Sequence, residues 1–222
     1  MSVTEEDVRF PTSSGEGTVR GILHRPAAKP VAGLVVTHGR SNDLKNPLVK
    51  RVAQIAAERG ILAVRINFRY VDETATASRD LLREEDDVLG AVRFLRKELG
   101  GWPIFVAGKS MGARVCARAS HDPDVAGVIA LGYPLHPMFK PGVRNPPEWP
   151  KLVKPALFVQ GDQDPFCDLA RLREDLPRLT QPHELVVIPQ AGHSFEPKGA
   201  KRDTFPEVRD AVLRWISDRS RG

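Results

Sequence analysis

From Val31 onward, short unbroken apolar runs alternate with stretches of helical period, and this alternation constrains the fold more than any other feature. GLVVTHG precedes NPLVKRVAQIAAERG, ILAVRINF precedes SRDLLREEDDVLGAVRFLRKELG, and PIFVAG precedes SMGARVCARAS. VAGVIALGYP, PALFVQGDQDP and ELVVIPQAGH follow, and TFPEVRDAVLRWISDR closes the series as a helix. Strands that are apolar at every position are buried on both faces, so the intervening helices must cover a sheet from both sides. The predicted class is therefore α/β, with a doubly wound, mostly parallel sheet. Ahead of it, VTEEDVRF and GTVRGILHR alternate around TSSGEG and read as an antiparallel hairpin. At 222 residues the chain reads as one domain, 1–222, with no large cap.

In such a sheet, ligands sit beyond the carboxyl ends of the strands. There, Gly108-Lys109-Ser110-Met111-Gly112 fits G-x-S-x-G. The pattern alone is weak, since a chain of this length shows it by chance in roughly one case in fifteen. Its setting is the stronger signal. It follows a predicted strand and opens a predicted helix, as a nucleophile elbow must. The tight turn holds Ser110 above the sheet at a helix N-terminus, where the dipole favours developing negative charge.

A serine hydroxyl needs a base, and the chain has six histidines. His193 follows the last strand in AGHSF and is the candidate. His24 reads as a surface residue, while His121 and His183 fall at the wrong end of the sheet. His38 reads as a loop support, and His136 as a surface group or a substrate contact in the proline-rich loop. The imidazole in turn needs an acid, and in the chain order serine, acid, histidine the window PALFVQGDQDPF supplies Asp162, Asp164 and Asp168. Asp164 is favoured because the turn must advance past Gly161 before a side chain can point back, with Asp162 as the second choice. For the oxyanion, the expected amide donors are those of Met111 and Arg40.

GLVVTHG, AGKSMGAR, LGYPLHP, QGDQDPF and AGHSF together resemble the α/β-hydrolase superfamily. The likeness is strongest to its small branch of bacterial predicted hydrolases related to testis-expressed and NSL-complex-subunit-like proteins. That resemblance implies an α/β-hydrolase fold and a serine hydrolase with Ser110, Asp164 and His193 as nucleophile, acid and base. It also implies no metal and no organic cofactor. Arg40-Ser41 departs from the small residues that the branch tends to carry after its His-Gly pair.

Composition excludes little but directs the rest. The net charge of +5 is scattered among acids, which reads as a solvated surface, not a nucleic-acid footprint. No apolar run reaches the ~20 residues that cross a bilayer, and MSVTEEDVRF is no signal peptide, so the expectation is a cytoplasmic protein without a membrane partner. Cys116 and Cys167 read as free thiols. Arg40, Arg69 and Lys109 either give the pocket positive potential, which suits an anionic substrate, or pair outward with Asp43, Asp72 or Glu73. Met138, Phe139, Trp149, Phe166 and Phe195 either line an apolar mouth or pack the loops together.

The function expected is cleavage of a small carboxylic ester or thioester, with anionic substrates as one option, by a monomer or homodimer. Its rivals are a non-catalytic scaffold that keeps the fold and a peptidase or amidase with the same machinery.

Overall fold

The computed structural model describes residues 2–143, 151–197 and 202–220. Trp149, one of the residues expected around the mouth, lies outside them. The hairpin forms as β1 (Thr4–Pro11) and β2 (Thr18–Arg25), followed by β3 (Ala32–Thr37), α1 (Pro47–Glu58) and β4 (Ile61–Ile66). A single turn, α2 (Arg69–Asp72), leads to α3 (Leu82–Leu99), β5 (Ile104–Lys109), α4 (Met111–Ala119) and β6 (Val125–Leu131). The chain ends with β7 (Ala156–Gly161), α5 (Leu169–Asp175), β8 (His183–Ile188) and α6 (Phe205–Ser220).

All eight strands join one sheet in the order β1-β2-β4-β3-β5-β6-β7-β8. The hairpin pairs antiparallel within itself and with β4. The other pairs are parallel, with Val35 of β3 opposite both Val64 of β4 and Val106 of β5.

The unbroken apolar runs work as two alternating faces. Leu34, Val36, Phe105, Ala107, Leu157 and Val159 pack beneath α1 and α6, whereas Val35, Val106, Val128 and Phe158 meet α3, α4 and α5 on the other side. Phe105 is fully buried, with its ring 5.6 Å from that of Trp215 on α6. Burying one such phenylalanine contributes about 1.5–3 kcal/mol. The helices start where local chemistry allows. Asn46 caps α1 by accepting from the amides of Leu48 and Val49, and Pro47 occupies the first turn, where its missing N–H costs nothing.

One buried polar pair stands out within the strands. Arg65, in the middle of β4, is buried and donates to His24, to the carbonyl of Leu44 and to Glu5. His24 is thus no surface residue: it is fully buried on β2, where it serves as the acceptor for Arg65. Cys116 and Cys167 are free and buried. Among the described residues, no helix is long and apolar enough to cross a membrane.

Candidate active site

β5 delivers Ser110 through a bend that only small neighbours permit. Ser110 lies at φ 55° and ψ −117°, a region that a residue with a side chain avoids unless held there. A Cβ on Gly108 would stand 2.1 Å from the carbonyl carbon of Gly112, and one on Gly112 would stand 2.4 Å from Thr37 Oγ1. Gly108 thus meets backbone, and a Cβ on Gly112 would also stand 2.7 Å from the backbone carbonyl oxygen of His38, so both glycines are required for α4 to fold back against β5 and β3.

Three side chains converge above this bend. His193 Nε2 is 2.9 Å from Ser110 Oγ, and its Nδ1 is 2.8 Å from Asp164 Oδ2. A carboxylate can only accept, so the ring proton sits on Nδ1 and Nε2 is left to accept from the serine hydroxyl. The Asp164 side chain has no exposure and that of His193 has 14%. Asp164 is held at both oxygens: Oδ1 accepts from the amide of Phe166 at 2.8 Å, and Oδ2 also accepts from Gln160 Nε2 at 2.5 Å. Gln160 was not among the expected site residues; the signal in the sequence was one amide side chain near the end of the otherwise apolar run ALFVQG.

The other two aspartates of that window have different tasks. Asp162 Oδ1 accepts from the amide of Ala191 at 3.3 Å, tying down the loop that carries His193. Asp168 caps α5 through the amides of Ala170 and Arg171.

The loop after β3 lines the same cleft as the serine. Met111 opens α4, whose leading amides have no acceptor inside the helix, and Arg40 follows Gly39 across the cleft. His38 fixes the peptide that carries the Arg40 amide: its Nδ1 donates to the carbonyl of Gly39 at 2.7 Å, while its Nε2 accepts from the amide of Phe68. Burial lowers the His38 pKa, which keeps the ring neutral for this role. Tyr70 Oη holds the next carbonyl, that of Arg40, at 2.7 Å.

The cleft has a volume of about 420 Å³, and its walls include Arg40, Lys109, Met111, His136, Phe166 and His193. His136 is buried at 3% exposure, with Nδ1 on the carbonyl of Pro137 and Nε2 accepting from the amide of Asp168. Both ring nitrogens are therefore taken, and His136 meets the cleft by its ring. The Phe166 ring lies 4.4 Å from that of His193.

Arg69 does not reach this cleft. It is tied to Asp86 at 2.7 Å and Asp87 at 2.8 Å beside α3, a pairing that spacing could not reveal. Phe195 packs in the core under α6, while Met138 and Phe139 stand exposed. Among the described residues, no group of His, Cys, Asp or Glu is placed to hold a metal ion.

A parallel sheet whose fifth strand ends in a serine bend, with an acid after the seventh and a histidine after the eighth, defines the α/β-hydrolase fold. The chain belongs to the alpha/beta hydrolase domain family, which residues 30–219 match. Solved structures share the fold at low identity. An alpha-beta serine hydrolase homologue from Coxiella burnetii is 23% identical over 97% of this chain and 99% of its own, with a TM-score of 0.78. A serine hydrolase without a lid from Xanthomonas campestris is 24% identical over 97% and 96%, at 0.75. A dienelactone hydrolase from Anabaena variabilis is 21% identical over 99% of each chain, at 0.78.

Proposed function

We propose that this chain is a serine hydrolase that cleaves small carboxylic esters or thioesters through an acyl-enzyme. The observation that carries the reading is the continuous relay from Ser110 Oγ through His193 to Asp164, at 2.9 and 2.8 Å. Ser110 Oγ attacks the substrate carbonyl as its proton passes to His193 Nε2, and Asp164 stabilises the imidazolium that forms. The tetrahedral oxyanion is held by the amides of Met111 and Arg40. Collapse expels the alcohol or thiol, which takes the proton from Nε2. Water then gives a proton to the same nitrogen, adds to the acyl carbonyl and releases the acid, restoring Ser110.

Family membership supports a hydrolase in general, and the choice of ester or thioester rests on the site. The kinship to the testis-expressed branch rests on the motifs GKSMG, YPLHP and GxxDPF.

A fluorophosphonate probe followed by peptide mass analysis tests the nucleophile. The expected adduct is on Ser110, and an unlabelled serine with no ester turnover returns the chain to the scaffold reading. Ser110→Ala is expected to lower p-nitrophenyl ester turnover by about four orders of magnitude or more, with an unchanged circular dichroism spectrum. A matched amide, assayed beside the ester, separates esterase from amidase.

A further inference from the structure

Among the described residues, buried arginines and lysines have carboxylate partners, with one exception. Arg65 pairs with Glu5 at 3.1 Å, Arg69 with Asp86 and Asp87, and Arg118 with Glu85 at 2.8 Å. Lys109, immediately before the nucleophile, is only 4% exposed and lines the cleft. Among the described residues, its ammonium has no hydrogen-bond or ion-pair partner. Of the two carboxylates that act on it, Asp164 has the larger influence, but its oxygens are already committed to His193, Gln160 and the amide of Phe166. Burial lowers the Lys109 pKa, as a desolvated ammonium requires, and Asp164 and Glu196 oppose that shift from a distance.

An uncompensated buried charge is costly, and a ligand that brings the opposite charge recovers that cost. The rest of the lining agrees in sign. Arg40 stands exposed on the same cleft, and no Asp or Glu is among the described residues that form its walls. An ester bond needs no such cation, since the oxyanion is served by backbone amides. The positive charge therefore has a different target.

We propose that Lys109, assisted by Arg40, binds a carboxylate carried by the substrate, so that the preferred class is esters or thioesters with an anionic group a few bonds from the scissile carbonyl. This inference rests on the hydrolase reading. It makes Lys109 a binding residue, which determines substrate choice without taking part in proton transfer.

The test compares p-nitrophenyl hemisuccinate, with a charged acyl end, against p-nitrophenyl methyl succinate, its neutral ester. A second pair, 4-acetoxybenzoate and phenyl acetate, moves the charge to the leaving group. In at least one pair, kcat/KM is expected to favour the anion by about tenfold or more, the scale of one charge-assisted contact in a partly desolvated site. Lys109→Met is expected to bring that ratio close to one, with Lys109→Arg retaining part of it. Should Lys109→Met fail to fold, Arg40→Gln, altered at an exposed position, is expected to lower the same ratio.

Ser110-dependent turnover with no anionic preference in either pair, or with a preference that neither variant changes, overturns the inference and leaves the hydrolase reading standing. Absent turnover with no fluorophosphonate adduct overturns the hydrolase reading instead. Anion binding is then read directly by calorimetry of glutarate with Ser110→Ala: heat that disappears on adding Lys109→Met supports the carboxylate site, and no heat overturns it.

Discussion

Ser110 at φ 55° stores backbone strain of order 1–3 kcal/mol, and the glycines beside it show why the chain keeps it. Relaxing the bend would move α4 off β5 and swing Oγ away from His193. The motif was legible because the steric demand falls on the residues that spell it. The acid was legible only as a choice, since Asp162, Asp164 and Asp168 lie within one turn-rich window and their directions depend on the turn. Gln160 is the further consequence of that geometry. Its Nε2 donates to the oxygen of Asp164 that also receives His193 Nδ1–H, and its Oε1 is buried without a partner among the described residues. In the proposed relay its expected part is that of a positioning residue. Gln160→Leu removes this donor at similar size, leaving Asp164 held by the Phe166 amide and His193 alone. The expected result is a fall in kcat of about tenfold to a hundredfold with KM nearly unchanged, since the relay and not the cleft is disturbed. Equal loss of folded protein at 25 °C, seen by circular dichroism, would reduce the residue to a structural one. Gln160→Glu is expected to shift the kcat–pH profile as well, by placing a second carboxyl beside Asp164.

At the scale of elements, strands and long helices were readable because continuous apolar runs and a helical period are written into their own residues. The short α5 and the single turn α2 were not, because each is made by a partner outside it. Asp168 caps α5, and the amide of Arg69, which opens α2, donates to Asp87 across on α3. The buried role of His24 was hidden for the same reason, since its acceptor nitrogen is explained only by Arg65, on a strand 41 residues away. That contact makes the hairpin sensitive to acid. Arg65 Nε donates to His24 Nε2, so protonating His24 removes the acceptor and brings a second cation to the arginine. Burial lowers the His24 pKa to about 4, with Arg65 adding to the shift and Glu5 opposing it. The unfolded histidine titrates near ~6.5, so between there and about 4 the unfolded chain binds more protons than the native one. Stability from the neutral His24 is thus complete above that range and is lost as the pH falls through it, by up to about 3 kcal/mol. Urea unfolding of wild type and His24→Gln at pH values spanning the window checks this. The wild type is expected to lose stability more steeply on acidification, and parallel curves would remove His24 from the account.

At the scale of the whole molecule, the fold sends its chemistry to one edge and leaves a second cavity, lined by Val31, Ile61, Trp102 and Ile216, at the opposite ends of β3, β4 and β5. Charge is divided differently. Many surface arginines are matched to acids, among them Arg20 with Asp7, Arg51 with Asp203 and Arg83 with Glu73. Their fields cancel within a few ångströms, so the excess of +5 is a weak far field, while the unpaired Lys109 is a strong near one. Salt separates the two. Raising the ionic strength from about 0.01 M to about 0.15 M shortens the screening length from ~30 Å to ~8 Å, which removes steering by exposed charge but leaves a buried contact largely intact. For an anionic ester, kcat/KM is therefore expected to fall by about twofold to fivefold across that range, with the neutral ester unchanged. The preference that survives at the higher salt belongs to Lys109 and is expected to be the part that Lys109→Met abolishes. If salt alone erased the whole preference, the anion would be sensing the surface of the protein, and the lysine beside the nucleophile would have no part in choosing the substrate.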